Sequence, residues 1–320
     1  MINIDKRKDM MINLKGRFFA VSILLFLVTF MASGSILAQD DKKEKAKVSF
    51  NEAVNLEKQG EDTLAAIMYR AALKSDPEYA DAYLNLGANQ FKRIKYNDAL
   101  ENFKKATEYG ETNPDAWANL GRVNYKLKKY IEAENAYNKV VELNADNTDI
   151  FKDLGLLYYN QKNWPALVEN MKKFTAAKQD DYLAFYLLGK GYQKLKNTKD
   201  AIANYKKAIE LKADYFNAHN SLGQIYQSQE RHQQAFNAYK KAVDLDPNNY
   251  RPMYNMAISY QSMSMREDGN FDNIDNIINY WNRFLRLARK NPKAGSLIPT
   301  AEETVNGLNE MKAYLEEQGE

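Results

Sequence analysis

Small residues recur at Ala53, Gly87, Gly121, Gly155, Gly189, Gly223 and Ala257, each 34 positions after the last. A period of this length held across seven positions restricts the chain to an array of like units, because each unit is too small to bury its own apolar face and must stack on the next. The rest of the unit keeps the same phase. Leu86, Leu120, Leu154, Leu188 and Leu222 stand one residue before the small position, and Tyr158, Tyr192, Tyr226 and Tyr260 stand three after it. Twelve residues beyond it come Ala65, Ala99, Ala133, Leu167, Ala201 and Ala235, followed after four more by Tyr69, Phe103, Tyr137, Met171, Tyr205 and Tyr239. Spacings of three, four and seven are helical, so each unit reads as two amphipathic helices joined by a short polar turn such as Arg93 to Tyr96. Only 14 Gly and 7 Pro occur, which disfavours a turn-rich all-β fold.

Five glycines inside helices each forgo about 1 kcal/mol against alanine. Gly87, Gly121, Gly155, Gly189 and Gly223 therefore need a packing reason, and the expected one is close approach of the partner helix, with the alanines of that helix as the other half of the contact.

On these residues the chain resembles the tetratricopeptide repeat family, whose pattern is W-x2-L-G-x2-Y, A-x3-F and P. Unit six reads His219, Leu222, Gly223, Tyr226, Ala235, Tyr239 and Pro247; unit five reads Phe185, Leu188, Gly189, Tyr192, Ala201 and Tyr205; unit three holds Trp117, Leu120 and Gly121. Seven units start near Ala46, Ala80, Pro114, Thr148, Tyr182, Phe216 and Tyr250, so the array spans 46–292. The resemblance implies an all-α, right-handed superhelical solenoid whose first helices line a concave groove. Unit one is degenerate, with Ser49 and Glu52 in apolar slots. Unit four carries Leu167, Met171, Phe174 and Pro165, and its second helix is expected to be loose or bent. Unit seven has an insertion around Ser264 to Asp272, then an amphipathic helix bearing Ile274, Ile277, Ile278, Trp281, Phe284 and Leu285 that needs a cover. Residues 293–320 supply it, as a linker and a capping helix with the stripe Val305, Leu308, Met311 and Leu315, opened by Pro299-Thr300 and Glu303 as a capping box.

The first 38 residues read as an address. Lys15 and Arg17 precede the uncharged run Phe18 to Ala32, and Ser33, Gly34 and Ser35 lead to Ala38, the layout of a secretory signal cut after Ala38. The alternative is an uncleaved anchor, the one route to a membrane. Export to a bacterial periplasm or cell envelope follows from either, and a start at Met10 or Met11 would give a shorter basic segment. Residues 39–45 read as a charged linker. Without residues 1–38 the chain has 40 basic and 40 acidic residues, so no field favours nucleic acid. Cysteine is absent, which excludes disulfides and thiol chemistry.

Nothing in the pattern calls for an enzyme, metal or cofactor. His219 and His232 fall on repeat phases and read as packing residues. Gly189-Lys190-Gly191 lacks the earlier glycine and the Ser or Thr of a phosphate loop. A protein partner is the expected ligand. By resemblance, positions 2, 5, 9, 12 and 13 of each first helix contact ligands; they hold Lys92, Arg122, Lys126, Lys152, Lys190 and Lys194 with Phe91, Tyr125 and Tyr159, against Asp81, Asp115 and Asp149. Units six and seven offer amides instead, Gln224, Gln227 and Gln261 among them. The carboxylate clamp of chaperone-binding members is not reproduced, because Val54, Ala88 and Leu156 occupy position 9. Two roles stand open: a scaffold that docks an extended segment in the groove, or an accessory subunit of an envelope enzyme or secretion machine held through its convex face.

Overall fold

The computed structural model describes residues 39–144, 146–266 and 271–318. The expected signal, its cut after Ala38 and the alternative start lie outside the described residues. Among the described residues no helix is long and apolar enough to cross a membrane.

The described chain is all α-helical apart from one isolated bridge between Met265 and Phe271. Hairpin 1 pairs α1 (39–58) with α2 (Asp62–Ser75), hairpin 2 α3 (Ala80–Lys92) with α4 (Tyr96–Tyr109), and hairpin 3 α5 (Pro114–Lys126) with α6 (Tyr130–Leu143). Hairpin 4 pairs α7 (Asp149–Gln161) with α8 (Trp164–Ala177), hairpin 5 α9 (Tyr182–Lys194) with α10 (Thr198–Leu211), and hairpin 6 α11 (Phe216–Ser228) with α12 (His232–Leu245). Hairpin 7, α13 (Tyr250–Ser264) and α14 (Ile274–Ala288), is followed by a 3-10 turn (Pro292–Leu297) and α15 (Ile298–Gln318). The hairpins fall into two compact bodies, hairpins 1 to 3 and hairpins 4 to 7, each a sequential stack of tetratricopeptide-like hairpins and the second ending in one extra helix. Within the bodies each helix packs on its sequence neighbours, and first helices also meet directly, α3 against α5 and α7 against α9. Within each body these first helices lie side by side.

The glycines do permit a close approach, but the partner is not the alanine expected from the sequence. A Cβ built on Gly223 would lie 2.6 Å from the Tyr239 ring, and one on Gly87 2.7 Å from Phe103. Gly121 meets Tyr137, Gly155 meets Met171 and Gly189 meets Tyr205 in the same way, always 16 residues on within the hairpin. The large residue of the second helix is thus driven flat onto the backbone of the first, and Tyr137, Tyr205 and Tyr239 are buried to 1% exposure or less.

Burying a tyrosine requires a partner for its hydroxyl. The Tyr205 hydroxyl donates to Gln193 Oε1 at 2.8 Å, Tyr239 to Gln227 Oε1 at 2.8 Å and Tyr69 to Glu57 Oε2 at 2.9 Å, each acceptor 12 residues earlier. Burial pushes all three phenols well above the usual tyrosine value. In hairpins 2 and 4, where Phe103 and Met171 have no hydroxyl, the same slot holds Phe91 and Tyr159. Hairpin 7 keeps the arrangement despite its insertion, with Trp281 Nε1 donating to Gln261 Oε1 at 2.8 Å.

Several expectations need correction. The segment 39–45, read as a charged linker, is helical. Helix α8 is a regular 14-residue helix because Pro165 sits in its first turn, where no N–H is required; Leu167, Met171 and Phe174 are buried, Leu167 and Phe174 in slots that smaller residues hold elsewhere and Met171 in the slot of the aromatic ring. The capping box at Thr300 does not form. Helix α15 begins at Ile298, and the Thr300 carbonyl lies inside it, accepting from Thr304 Oγ1 at 2.8 Å. The chain reaches α15 through the 3-10 turn, capped by Asn291. Ala301, Val305 and Leu308 are buried, whereas Met311 and Leu315 are only half-buried.

One element of the period was hidden in the backbone. The turn inside each of hairpins 1 to 6 places Gly60, Ile94, Lys128, Lys162, Lys196 and Glu230, again 34 apart, at φ between 57° and 83°. The following N–H reaches back five residues, as Lys95 does to Gln90 O at 2.9 Å, closing a helix C-terminus that favours glycine. Ile94 is β-branched, has φ 61° and is 72% exposed. Its left-handed conformation costs about 1–2 kcal/mol and its side chain recovers little. Ile94→Gly should therefore stabilise the protein by about 1 kcal/mol, after allowance for the freer unfolded chain. A lower urea midpoint would contradict this.

Candidate functional site

The candidate groove residues fall into two sets, one in each compact body. In the N-terminal body Lys92 is not free: its ammonium pairs with Asp62 at 2.8 Å. Arg122 and Tyr125 also make contacts within the protein, Tyr125 through the ring of Tyr130 at 6.1 Å. Lys126 is exposed.

In the C-terminal body Lys152 is likewise committed. It pairs with Asp181, which also caps α9 by accepting from Ala184 N–H at 3.0 Å, and its ammonium lies 5.4 Å from the Phe174 ring centre. Burial would raise the Asp181 carboxyl, but the hydrogen bonds from Lys152 and Ala184 outweigh it and hold the group below the usual carboxylate range. Lys152 thus ties α7 to the start of α9 and is a poor candidate for a partner's acid.

Lys190 differs. It is half-buried on α9, burial and then Lys194 one turn on push its amine below the ordinary lysine value, and no acid stands among the groups that act on it. A charge held out of water without a counter-ion is costly and would be relieved by an incoming carboxylate. Lys194 lies 5.9 Å from the Trp164 ring centre, and Trp164 meets Tyr159 edge-on at 6.0 Å. Trp164, at the head of α8, was not singled out in the sequence because it falls at a hairpin turn. On α9 Tyr186, a position-5 residue, packs against Tyr215 at 5.2 Å and Tyr205 at 5.6 Å, and burial raises its hydroxyl to about 12.

The amide-rich stretch separates into two roles. Gln227 and Gln261 hold the Tyr239 and Trp281 polar groups between helices, so they are removed from the groove set. Gln224 and Asn220 instead line an open cleft of about 240 Å³ with Arg251, Tyr254, Asn255 and Leu297. Asn220 Oδ1 is buried without a hydrogen-bond partner among the described residues. His219 takes the family's tryptophan slot, its Nε2 2.8 Å from Ala213 O just as Trp117 Nε1 donates to Glu111 O at 2.8 Å.

Models of the tetratricopeptide repeat match residues 114–147 and 216–249, and a TPR repeat model matches residues 90–128 and 189–230. No curated protein matches the sequence. Among solved structures, the C-terminal part of a TPR repeat-containing protein from Cytophaga hutchinsonii is 18% identical, covering 77% of this chain and 98% of its own at a TM-score of 0.62. PilF of Pseudomonas aeruginosa is 18% identical, covering 70% and 98% at 0.55. YrrB, described as a TPR protein with an unusual peptide-binding site, is 19% identical, covering 58% and 96% at 0.54. At these identities the likeness carries the fold alone. With the 34-residue period and the hairpins that bear it, the matched segments show that this chain carries tetratricopeptide repeats within residues 90–147 and 189–249.

Proposed function

We propose that this protein is an exported, non-catalytic scaffold that holds an extended, acid-bearing segment of a protein partner against the first helices of hairpins 4 to 6. The observation that carries the reading is Lys190, a half-buried ammonium with no counter-ion among the groups that act on it. Asn220 Oδ1, buried and unpartnered on the next first helix, is an acceptor for a backbone N–H of such a segment. Trp164, Tyr159 and the stem of Lys194 add apolar area beside them. A peptide-binding site in YrrB, a protein of similar fold, agrees with this use of the scaffold. Export rests on the basic and apolar layout of residues 1–38.

The test is anisotropy of a labelled, extended glutamate-rich peptide titrated with residues 39–320. Truncating or reversing one partner of a desolvated charge pair removes about 2–5 kcal/mol. Lys190→Glu should accordingly weaken binding at least tenfold with helicity unchanged, while Lys206→Glu and Lys240→Glu on exposed second-helix positions should leave it intact. Loss at Lys206 and Lys240 with none at Lys190 would move the site to the second helices and sink the groove reading. Protein recovered from its native cells should begin at or near Gln39; an intact segment 18–38 in the membrane fraction would indicate an anchor.

A further inference from the structure

Hairpin 3 departs from its own repeat at one point, and the departure opens a cavity. The position three residues after the small residue is tyrosine in hairpins 4 to 7, Tyr158, Tyr192, Tyr226 and Tyr260, but Asn124 in hairpin 3. Hairpin 2 also lacks the tyrosine, yet there Gln90 is bridged by Asn102 Nδ2 at 2.7 Å, and the amide pair spans the gap. In hairpin 3 the residue corresponding to Asn102 is Ala136, which cannot reach across. Asn124 turns back on its own helix, donating from Nδ2 to Leu120 O at 3.0 Å. The result is an open cavity of about 430 Å³ between α4, α5 and α6, floored by Trp117, Leu120 and Ala136.

The rim is basic. Lys104, Lys129 and Lys139 stand around the floor with one acid, Glu132. Lys139 is occupied by Glu142 at 2.9 Å, whereas Lys104 and Lys129 are exposed and make no ion pair among the described residues. The Trp117 N–H is already spent on Glu111 O, so the ring presents only apolar surface.

We propose that this cavity is a second docking site, for a bulky apolar side chain of a protein partner flanked by carboxylates. An apolar side chain would cover Trp117, Leu120 and Ala136, and flanking acids would reach Lys104 and Lys129. The inference stands apart from Lys190, since none of its residues belongs to hairpins 4 to 6.

Tryptophan fluorine NMR tests it. The chain has three tryptophans, so protein labelled with 5-fluorotryptophan gives three resonances, and the one lost in Trp117→Phe is assigned to Trp117. The probe is a capped pentapeptide with a central phenylalanine between two pairs of glutamates. It should shift the Trp117 resonance saturably. A peptide with alanine at the centre should bind at least tenfold more weakly, and one with lysine flanks should not bind. Lys104→Glu with Lys129→Glu should weaken the acidic peptide at least tenfold. Asn124→Tyr, which restores the residue of hairpins 4 to 7, should abolish the shift; Ala136→Leu fills the same space if that variant does not fold. The proposal is overturned if the acidic peptide leaves Trp117 unmoved, if lysine flanks serve equally, or if binding survives in the filled variant. Because Lys190 is untouched throughout, failure here leaves the groove reading standing, and failure of Lys190→Glu leaves this one.

Discussion

Replacing Trp281 with alanine should cost about 3–5 kcal/mol, the range for deleting a large buried aromatic. Trp281 is 3% exposed and packs edge-on against Tyr254 at 5.5 Å and Phe284 at 6.1 Å. Its indole N–H donates to Gln261, whose half-buried Oε1 the substitution would leave without that donor. A solenoid transmits stability only between neighbours, so the loss should appear as early unfolding of hairpin 7 and α15 and not as a uniform shift. Hydrogen exchange should show α13 to α15 exchanging faster while α9 and α10 stay protected. Trp281→Phe keeps most of the packing and should cost about 1 kcal/mol, the worth of the hydrogen bond. An unchanged urea midpoint for Trp281→Ala would mean that α14 and α15 do not depend on this ring for their core.

The second large effect is a contrast between two glycines of equal phase. Gly121→Ala should destabilise by about 1–3 kcal/mol, since the new methyl would overlap the ring of Tyr137, which is 1% exposed and cannot withdraw. The helix propensity gained from alanine, about 1 kcal/mol, offsets only part of this. At Gly155 the added carbon would come still nearer to its neighbour, yet the neighbour is the terminal methyl of Met171. A methionine tip can rotate away, and propensity then roughly cancels the repacking cost, so Gly155→Ala should be close to neutral. Paired denaturation curves decide the matter. A larger loss at Gly155 than at Gly121 would show that proximity alone, and not the stiffness of the neighbouring side chain, governs the site.

The hairpin boundaries were legible because a helical face and a fixed period both leave their mark on residue type: Ala80, Pro114, Tyr182, Phe216 and Tyr250 open helices where the repeat places them. The acceptors of Tyr205 and Tyr239 escaped the sequence reading, which placed Gln227 in the groove: Gln193 and Gln227 stand 12 residues before their tyrosines, where Phe91 stands for Phe103, but the pairing acquires meaning only once both side chains meet. Groove charges were the least legible part. Composition marks Lys92, Lys152 and Lys190 alike as basic residues on first helices, whereas their behaviour depends on what another segment brings to each: Asp62 to Lys92, Asp181 to Lys152, and, among the described residues, no acid to Lys190. The left-handed turn at Ile94 left no trace because a surrounding Schellman geometry imposed it on a residue that would not choose it. Sequence by itself determined the unit, its two helices and their order, because those depend on periodicity within one chain segment. Tertiary structure alone decided that the ring of the second helix and not its alanine meets the glycine, which cations remain unmatched, and that Asn124 opposite Ala136 leaves a cavity, because each of these is a property of two segments brought into contact.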